Sequence, residues 1–207
     1  MTGLIVKDFL VSKRYMRTIF LLLAFYVLFS FAMGSSSFIL FMTPLFFTMM
    51  TITSFAYDNA AKWNAYALTM PVTRGDLVFS KYIVSALYAL SGCVLALAVS
   101  AVVDLVSGRP LTGELGMMVL GALGASLTII SIVLPLIFKF GVEKARMMMV
   151  AVFVIPSVLA VVLPQSGIPM PSEELLKSLA ILSPFLVVAV FVGSYFLSNR
   201  IFSKKDL

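Results

Sequence analysis

The residues whose types and spacing can do chemistry concentrate between Asp58 and Lys81, and what they suit is recognition. The run Asp58-Asn59-Ala60-Ala61-Lys62-Trp63-Asn64-Ala65-Tyr66-Ala67-Leu68-Thr69-Met70-Pro71 opens on two residues whose side chains can cap a helix by accepting its orphan amide hydrogens. Ala, Lys and Leu favour its continuation until the residue before Pro71 is pushed out of helical geometry. Trp63, Tyr66 and Met70 recur at i, i+3 and i+7 and so share one face. Thr73 followed by Asp76 then forms a capping-box pattern that restarts a helix with an acid at its positive end. The stretch therefore predicts a short helix, a proline corner and a second, long helix. An aromatic face on the short helix has two physical uses. It can float a loop at lipid-headgroup level, or it can be a rigid knob for a partner's pocket.

Two weaker groups accompany it. Thr48, Thr51 and Ser54 fall at i, i+3 and i+6, with Thr43 nearby, and can either face a substrate cavity or bond back to their own helix carbonyls. In Phe140-Gly141-Val142-Glu143-Lys144-Ala145-Arg146, Gly141 suits a left-handed helix end. Glu143, Lys144 and Arg146 can dock a partner or simply decorate a solvated turn. The chain offers no catalytic set. It has no His and one cysteine, Cys93, which excludes a multi-thiolate metal site. No G-x-x-x-x-G-K-[ST] phosphate loop occurs, so any nucleotide must be bound elsewhere. Leu90-Ser91-Gly92 runs on into Cys93-Val94-Leu95 and reads as small-residue helix packing.

The elements that must position these residues follow from composition. Of 207 residues, 61% are hydrophobic and 12% charged, too few polar groups to enclose the apolar mass in water. The fold class is all-α and polytopic. Six stretches approach the roughly 20 apolar residues of a span, near 18–34, 38–57, 82–106, 115–138, 147–163 and 179–198. The first follows a long basic segment and lacks a small-residue cleavage site, so it reads as a retained span. Lys7, Lys13, Arg14 and Arg17, the cations of the 58–81 and 139–146 loops, and Arg200, Lys204 and Lys205 all fall on one side. Only Arg109 and Lys177 are left on the other. The inside-positive rule makes that side cytoplasmic, with both termini in.

Residues 1–17 read as a basic amphipathic helix lying in the membrane interface, ahead of a six-span domain over 18–207. The proline-rich stretch from Pro164 to Ser178 predicts a small external loop. Gly116, Gly121, Gly124 and Ala125 predict a close-packing face on the fourth span. Asp104, near the external end of the third span, is the one acid expected inside a span, which offers little to an ion-coupled carrier. Thirteen Met, three of them at 147–149, suit either a surface that repacks around apolar ligands or plain lipid-facing filler.

Asp58, Lys62, Trp63, Tyr66, Thr69, Pro71 and Arg74, followed by Ser80-Lys81-Tyr82, resemble the signature of bacterial type-2 ABC exporter permeases of the compact six-span kind. That group includes the membrane subunits of phenol-soluble modulin exporters and related peptide-resistance transporters. The 140–146 loop resembles it more weakly. The resemblance implies a coupling helix seated in a cleft of an ATPase, with Trp63 and Tyr66 as buried anchors and Asp58, Lys62 and Arg74 as polar contacts or caps. It further implies a homodimer of permease subunits in the bacterial plasma membrane, working with two copies of a cytoplasmic ABC ATPase. ATP and Mg would be bound by that ATPase, with no cofactor on this chain and no nucleic-acid partner. The exported cargo would be amphipathic peptides or other lipophilic molecules. Two other readings stay open: an ion-coupled secondary carrier, and a non-transporting membrane scaffold or immunity protein.

Overall fold

The computed structural model describes residues 2–109, 114–165 and 173–205, and these residues are helical with no strand among them. Helix α1 covers Thr2–Ser12, and a single 3-10 turn at Lys13–Tyr15 leads into α2, Met16–Met33. Then follow α3 (Ser37–Ala60), α4 (Trp63–Ala67), α5 (Arg74–Val106), α6 (Glu114–Phe140), α7 (Val142–Gln165) and α8 (Glu173–Ser203). Five of them, α2, α3, α5, α6 and α8, are long and apolar enough to cross a membrane. The expected fifth span at 147–163 falls inside α7, a helix of 24 residues. The proline-rich residues 166–172 of the expected external loop lie outside the described residues.

Local chemistry explains the helix ends. Gly34 closes α2 in the left-handed region at φ 67°, with its amide bonded to Ser30 O. Gly141, at φ 83°, does the same between α6 and α7, as its position in the sequence predicts. The capping box at the start of α5 is complete. Asp76 N donates to Thr73 Oγ1 at 3.1 Å, and Thr73 N donates to Asp76 Oδ2 at 3.0 Å.

The expected extents differ in one consequential place. α3 runs on to Ala60, and the helix expected to restart at the Thr73–Asp76 box runs unbroken from Arg74 into the apolar stretch expected from 82 onward. Asp58 and Lys81, read in the sequence as loop charges, therefore lie inside long helices. Asp58 is in the last turn of α3, and Lys81 is two turns into α5.

α3 is the most enclosed of the long helices, and α5 crosses it closely. The crossing is made at Gly92. A Cβ there would meet Pro44 Cα and Phe47 Cβ, each at 2.9 Å, so only hydrogen fits between the two backbones. The Leu90-Ser91-Gly92 run is thus a packing device, as expected. The small-residue face of α6 behaves otherwise. A Cβ at Gly116 or Gly121 would meet nothing within 4 Å, and at Gly124 only Val187 Cγ2 at 3.8 Å. Gly121, Gly124 and Ala125 line a mostly apolar cavity of about 570 Å³ between α6 and α8.

The Gly92 crossing gives a direct test. Gly92→Val should force α3 and α5 apart and lower stability by about 1–3 kcal/mol, the usual cost of overpacking. Gly116→Ala should be neutral or slightly stabilising. Thermal unfolding of both variants in detergent measures the difference.

Candidate functional site

The site grows from the end of α3, the second turn of α5 and the inner face of α1. In α1, Leu4, Asp8 and Ser12 are spaced i, i+4 and i+8, so they share a face. Asp8 and Ser12 are buried, Leu4 packs on the core, and Val6, Phe9 and Leu10 point outward. Asp8 and Ser12 thus face protein while Val6, Phe9 and Leu10 face away, an inward acid where the sequence suggests an apolar side toward acyl chains and cations toward headgroups.

Two acids and two lysines meet beneath it. Lys81 Nζ donates to Asp8 Oδ1 at 2.9 Å and to Ser54 Oγ at 2.8 Å. It lies 2.6 Å from Asp58 Oδ2, an ion-pair contact that is not aligned as a hydrogen bond. Lys7 Nζ donates to Asp58 Oδ1 at 2.6 Å and approaches Asp8 Oδ1 to 3.2 Å. Each lysine therefore touches both carboxylates. Asp8 is 1% exposed, Asp58 5% and Lys81 7%, so their charges survive burial only because they cancel. Ser54 Oγ donates to Asp8 Oδ1 at 2.9 Å, and Tyr88 Oη donates to Asp8 O at 3.1 Å. A Ser12–Tyr88 hydroxyl contact closes the group.

The short helix α4 sits against this cluster. Neither Asp58 nor Asn59 caps it, because α3 continues through both. Its cap position is Lys62, in the left-handed region at φ 49°, with no side-chain cap bond. Lys62 is exposed. Trp63 is half-buried, packs against the core, and carries Lys7 Nζ 4.4 Å from its ring centroid. Tyr66 is 58% exposed and leans on Trp63 with ring centroids 5.6 Å apart. Met70, beyond the helix end at Ala67, is 38% exposed. The face expected to be shared by Trp63, Tyr66 and Met70 is thus divided: Trp63 turns inward, while Tyr66 and Met70 remain on the surface. Beyond the Pro71 corner, Arg74 is occupied within the fold. Its Nη1 donates to the carbonyls of Phe202, Ser203 and Lys205 at 3.3, 2.7 and 2.9 Å, clasping the end of α8.

The remaining candidates separate from this site. Glu143, Lys144 and Arg146 lie exposed on the first turns of α7. Thr48, Thr51 and Ser54 are all buried between helices, and none lines the α6–α8 cavity. Thr48 Oγ1 bonds back to Pro44 O at 2.9 Å, whereas Ser54 belongs to the charge cluster. Thr43 and Thr51 have buried hydroxyls without partners among the described residues. Asp104 is buried at the far end of α5, taking 2.6 Å from Ser36 Oγ and 3.4 Å from Arg109 Nη1. Asp58 and Lys81 thus lie within the ends of long helices, as Asp104 does at the far end of α5.

Sequence reasoning missed Asp8 altogether. Its signal was a lone acid on the Leu4–Ser12 face of a helix otherwise supplied with cations, a position that needs a buried counter-charge. Lys81 could also have been found, since the Thr73–Asp76 cap already starts a helix two turns before it.

The model of the ABC-2 family transporter protein matches residues 3–203, nearly the whole of the helical bundle just described. The chain belongs to that family. No curated protein and no solved structure matches it. As an ABC-2 permease it is a multi-pass membrane protein of the transport type, and the charge cluster joins three of its helices directly under the loop between α3 and α5.

Lys81→Met in this ABC-2 permease leaves two buried carboxylates sharing one ammonium group. It should cost about 3–5 kcal/mol, the scale of a broken buried pair. Adding Asp8→Asn removes the surplus charge, leaves the Lys7–Asp58 pair, and should recover a large part of the loss. Unfolding of the two single variants and the double variant in detergent gives the coupling.

Proposed function

We propose that this chain is the membrane subunit of an ATP-driven exporter that takes its energy from a separate cytoplasmic ATPase docked on α4. The observation that carries the reading is the exposed edge made by Lys62, Tyr66 and Met70, projecting from a turn whose other side is fastened to the core. An aromatic with a sulfur side chain beside it, held on a rigid base, has the composition of an interface hot spot. Trp63 then serves as the footing of the knob and Tyr66 as its tip. Exposed Glu143, Lys144 and Arg146, on the first turns of α7, supply a second, polar contact. Two permease subunits with two ATPases complete the transporter, in the bacterial plasma membrane, with ATP and Mg held by the ATPase. Amphipathic peptides or other lipophilic molecules are the cargo, a class supported by the resemblance in the 58–82 loop.

An ion-coupled carrier remains the second reading, because Asp8, Asp58 and Asp104 are buried carboxylates in a membrane protein. Each has a cationic partner within 4 Å, which favours a structural role for them. Export that persists without a proton or sodium gradient but stops without ATP separates the two readings.

Tyr66→Ala combined with Met70→Ala should leave insertion and folding intact while stripping the ATPase during purification. Loss of a hot spot of about 2 kcal/mol corresponds to roughly 30-fold in affinity. Co-purification of a tagged permease with its ATPase from detergent is the measurement. Retention of the partner by the double variant would remove α4 as the docking element.

A further inference from the structure

We propose that Lys7 is the positioning residue of the docking turn: one ammonium group, shared between Asp58, Asp8 and the face of Trp63, ties the orientation of α4 to the N-terminal helix. This rests on the reading of α4 as the element that an ATPase engages.

The argument begins with what α4 lacks. Five residues are too few to hold a helix in water, and the Lys62 cap position contributes no side-chain bond. Its orientation must therefore come from tertiary contacts. Ala67 is fully buried and fixes the end of the helix. Its start depends on Trp63, whose indole is only half-buried and has Lys7 Nζ over its ring at 4.4 Å. That same nitrogen is 2.6 Å from Asp58 Oδ1 and 3.2 Å from Asp8 Oδ1. A cation held by two carboxylates on one side and a π face on the other cannot follow Trp63 without drawing on both acids. Asp8 and Lys7 are neighbours in α1, so any rotation of the indole is felt there first. The pairing is also tolerant of movement. Lys81 touches both acids as well, so Lys7 can lean toward Trp63 while neither carboxylate is left without a counter-charge. α1 thus becomes the element that both sets the docking pose and registers pressure on it.

Trp63 is the sole tryptophan of the chain, which makes the contact directly visible by fluorescence. The full-length permease would be compared with Lys7→Met, Lys7→Arg, and Lys7→Met combined with Asp58→Asn, which restores charge balance in the cluster. The expected result is an increase in acrylamide quenching of Trp63 in both Met variants. It should correspond to a shift of about 2- to 30-fold in the ratio of seated to unseated indole, the equilibrium equivalent of one cation–π contact. Lys7→Arg should restore quenching toward the original value. In the complex with the ATPase, the Met variants should keep the partner but export less cargo per ATP hydrolysed. Unchanged quenching in both Met variants overturns the proposal, as does a raised quenching with unaltered export per ATP. Failure of the unsubstituted permease to bind any ATPase overturns the docking reading instead, and the quenching result then distinguishes that outcome from an error about Lys7.

Discussion

Asp8, Asp58 and Lys81, buried together with a partly buried Lys7, can exist only as a neutral set, and this end of the bundle is arranged around that requirement. An isolated charge in the interior costs several kcal/mol, and a single partner on one helix would leave the remaining lone pairs unmet. Here three separate segments contribute: Lys7 and Asp8 from α1, Asp58 with Ser54 from α3, and Lys81 from α5. Their convergence fixes how far α3 must extend before it breaks, since Asp58 has to reach the cluster. The break then follows at Ala61 and Lys62, and α4 starts directly above the charges. The position of the proposed docking turn is a by-product of the need to neutralise Asp58.

The same constraint explains the odd orientation of α1. A basic helix at a membrane edge would ordinarily turn every polar group outward. Asp8 does not follow that pattern, because its ion-pair partners Lys7 and Lys81 meet it on the bundle side of α1. It draws the polar face of α1 onto the bundle and leaves Val6, Phe9 and Leu10 outward, where an apolar face is cheap only beside lipid. Phe9 also keeps one edge-on contact with Tyr88, whose hydroxyl reaches the backbone of Asp8. Burial of charge and exposure of hydrocarbon are here two sides of one arrangement.

How much of this was legible beforehand depended on the range of each signal. Local chemistry was read well: the Thr73–Asp76 box, the glycine end at 141 and the close crossing at Gly92 all follow from a few neighbouring residues. The apolar runs located α2, α3 and α6 to within a turn, whereas α5, α7 and α8 run further because their ends carry charged residues beyond the apolar stretch. Asp58 and Lys81 read as loop residues because charge normally marks the limit of a span. That inference fails when two helices bring opposite charges to the same depth, which is a non-local fact. Arg74 illustrates the same limit, since its partners lie at the other end of the chain. The split of Trp63 from Tyr66 was also out of reach, because it turns on one left-handed residue, Lys62, whose type gives no hint of it.

The clasp made by Arg74 has a consequence for synthesis. Its three carbonyl partners follow it by 128, 129 and 131 residues, and Lys205 adds a bond to Phe138 O at 3.0 Å. Helices emerge from the ribosome in order, so α3, α4 and the start of α5 exist long before anything can engage that guanidinium. The junction after Pro71 is therefore finished only when α8 has been inserted. A nascent or truncated chain presents an incomplete junction there, and α8 acts as the signature that the earlier helices are ready to be used.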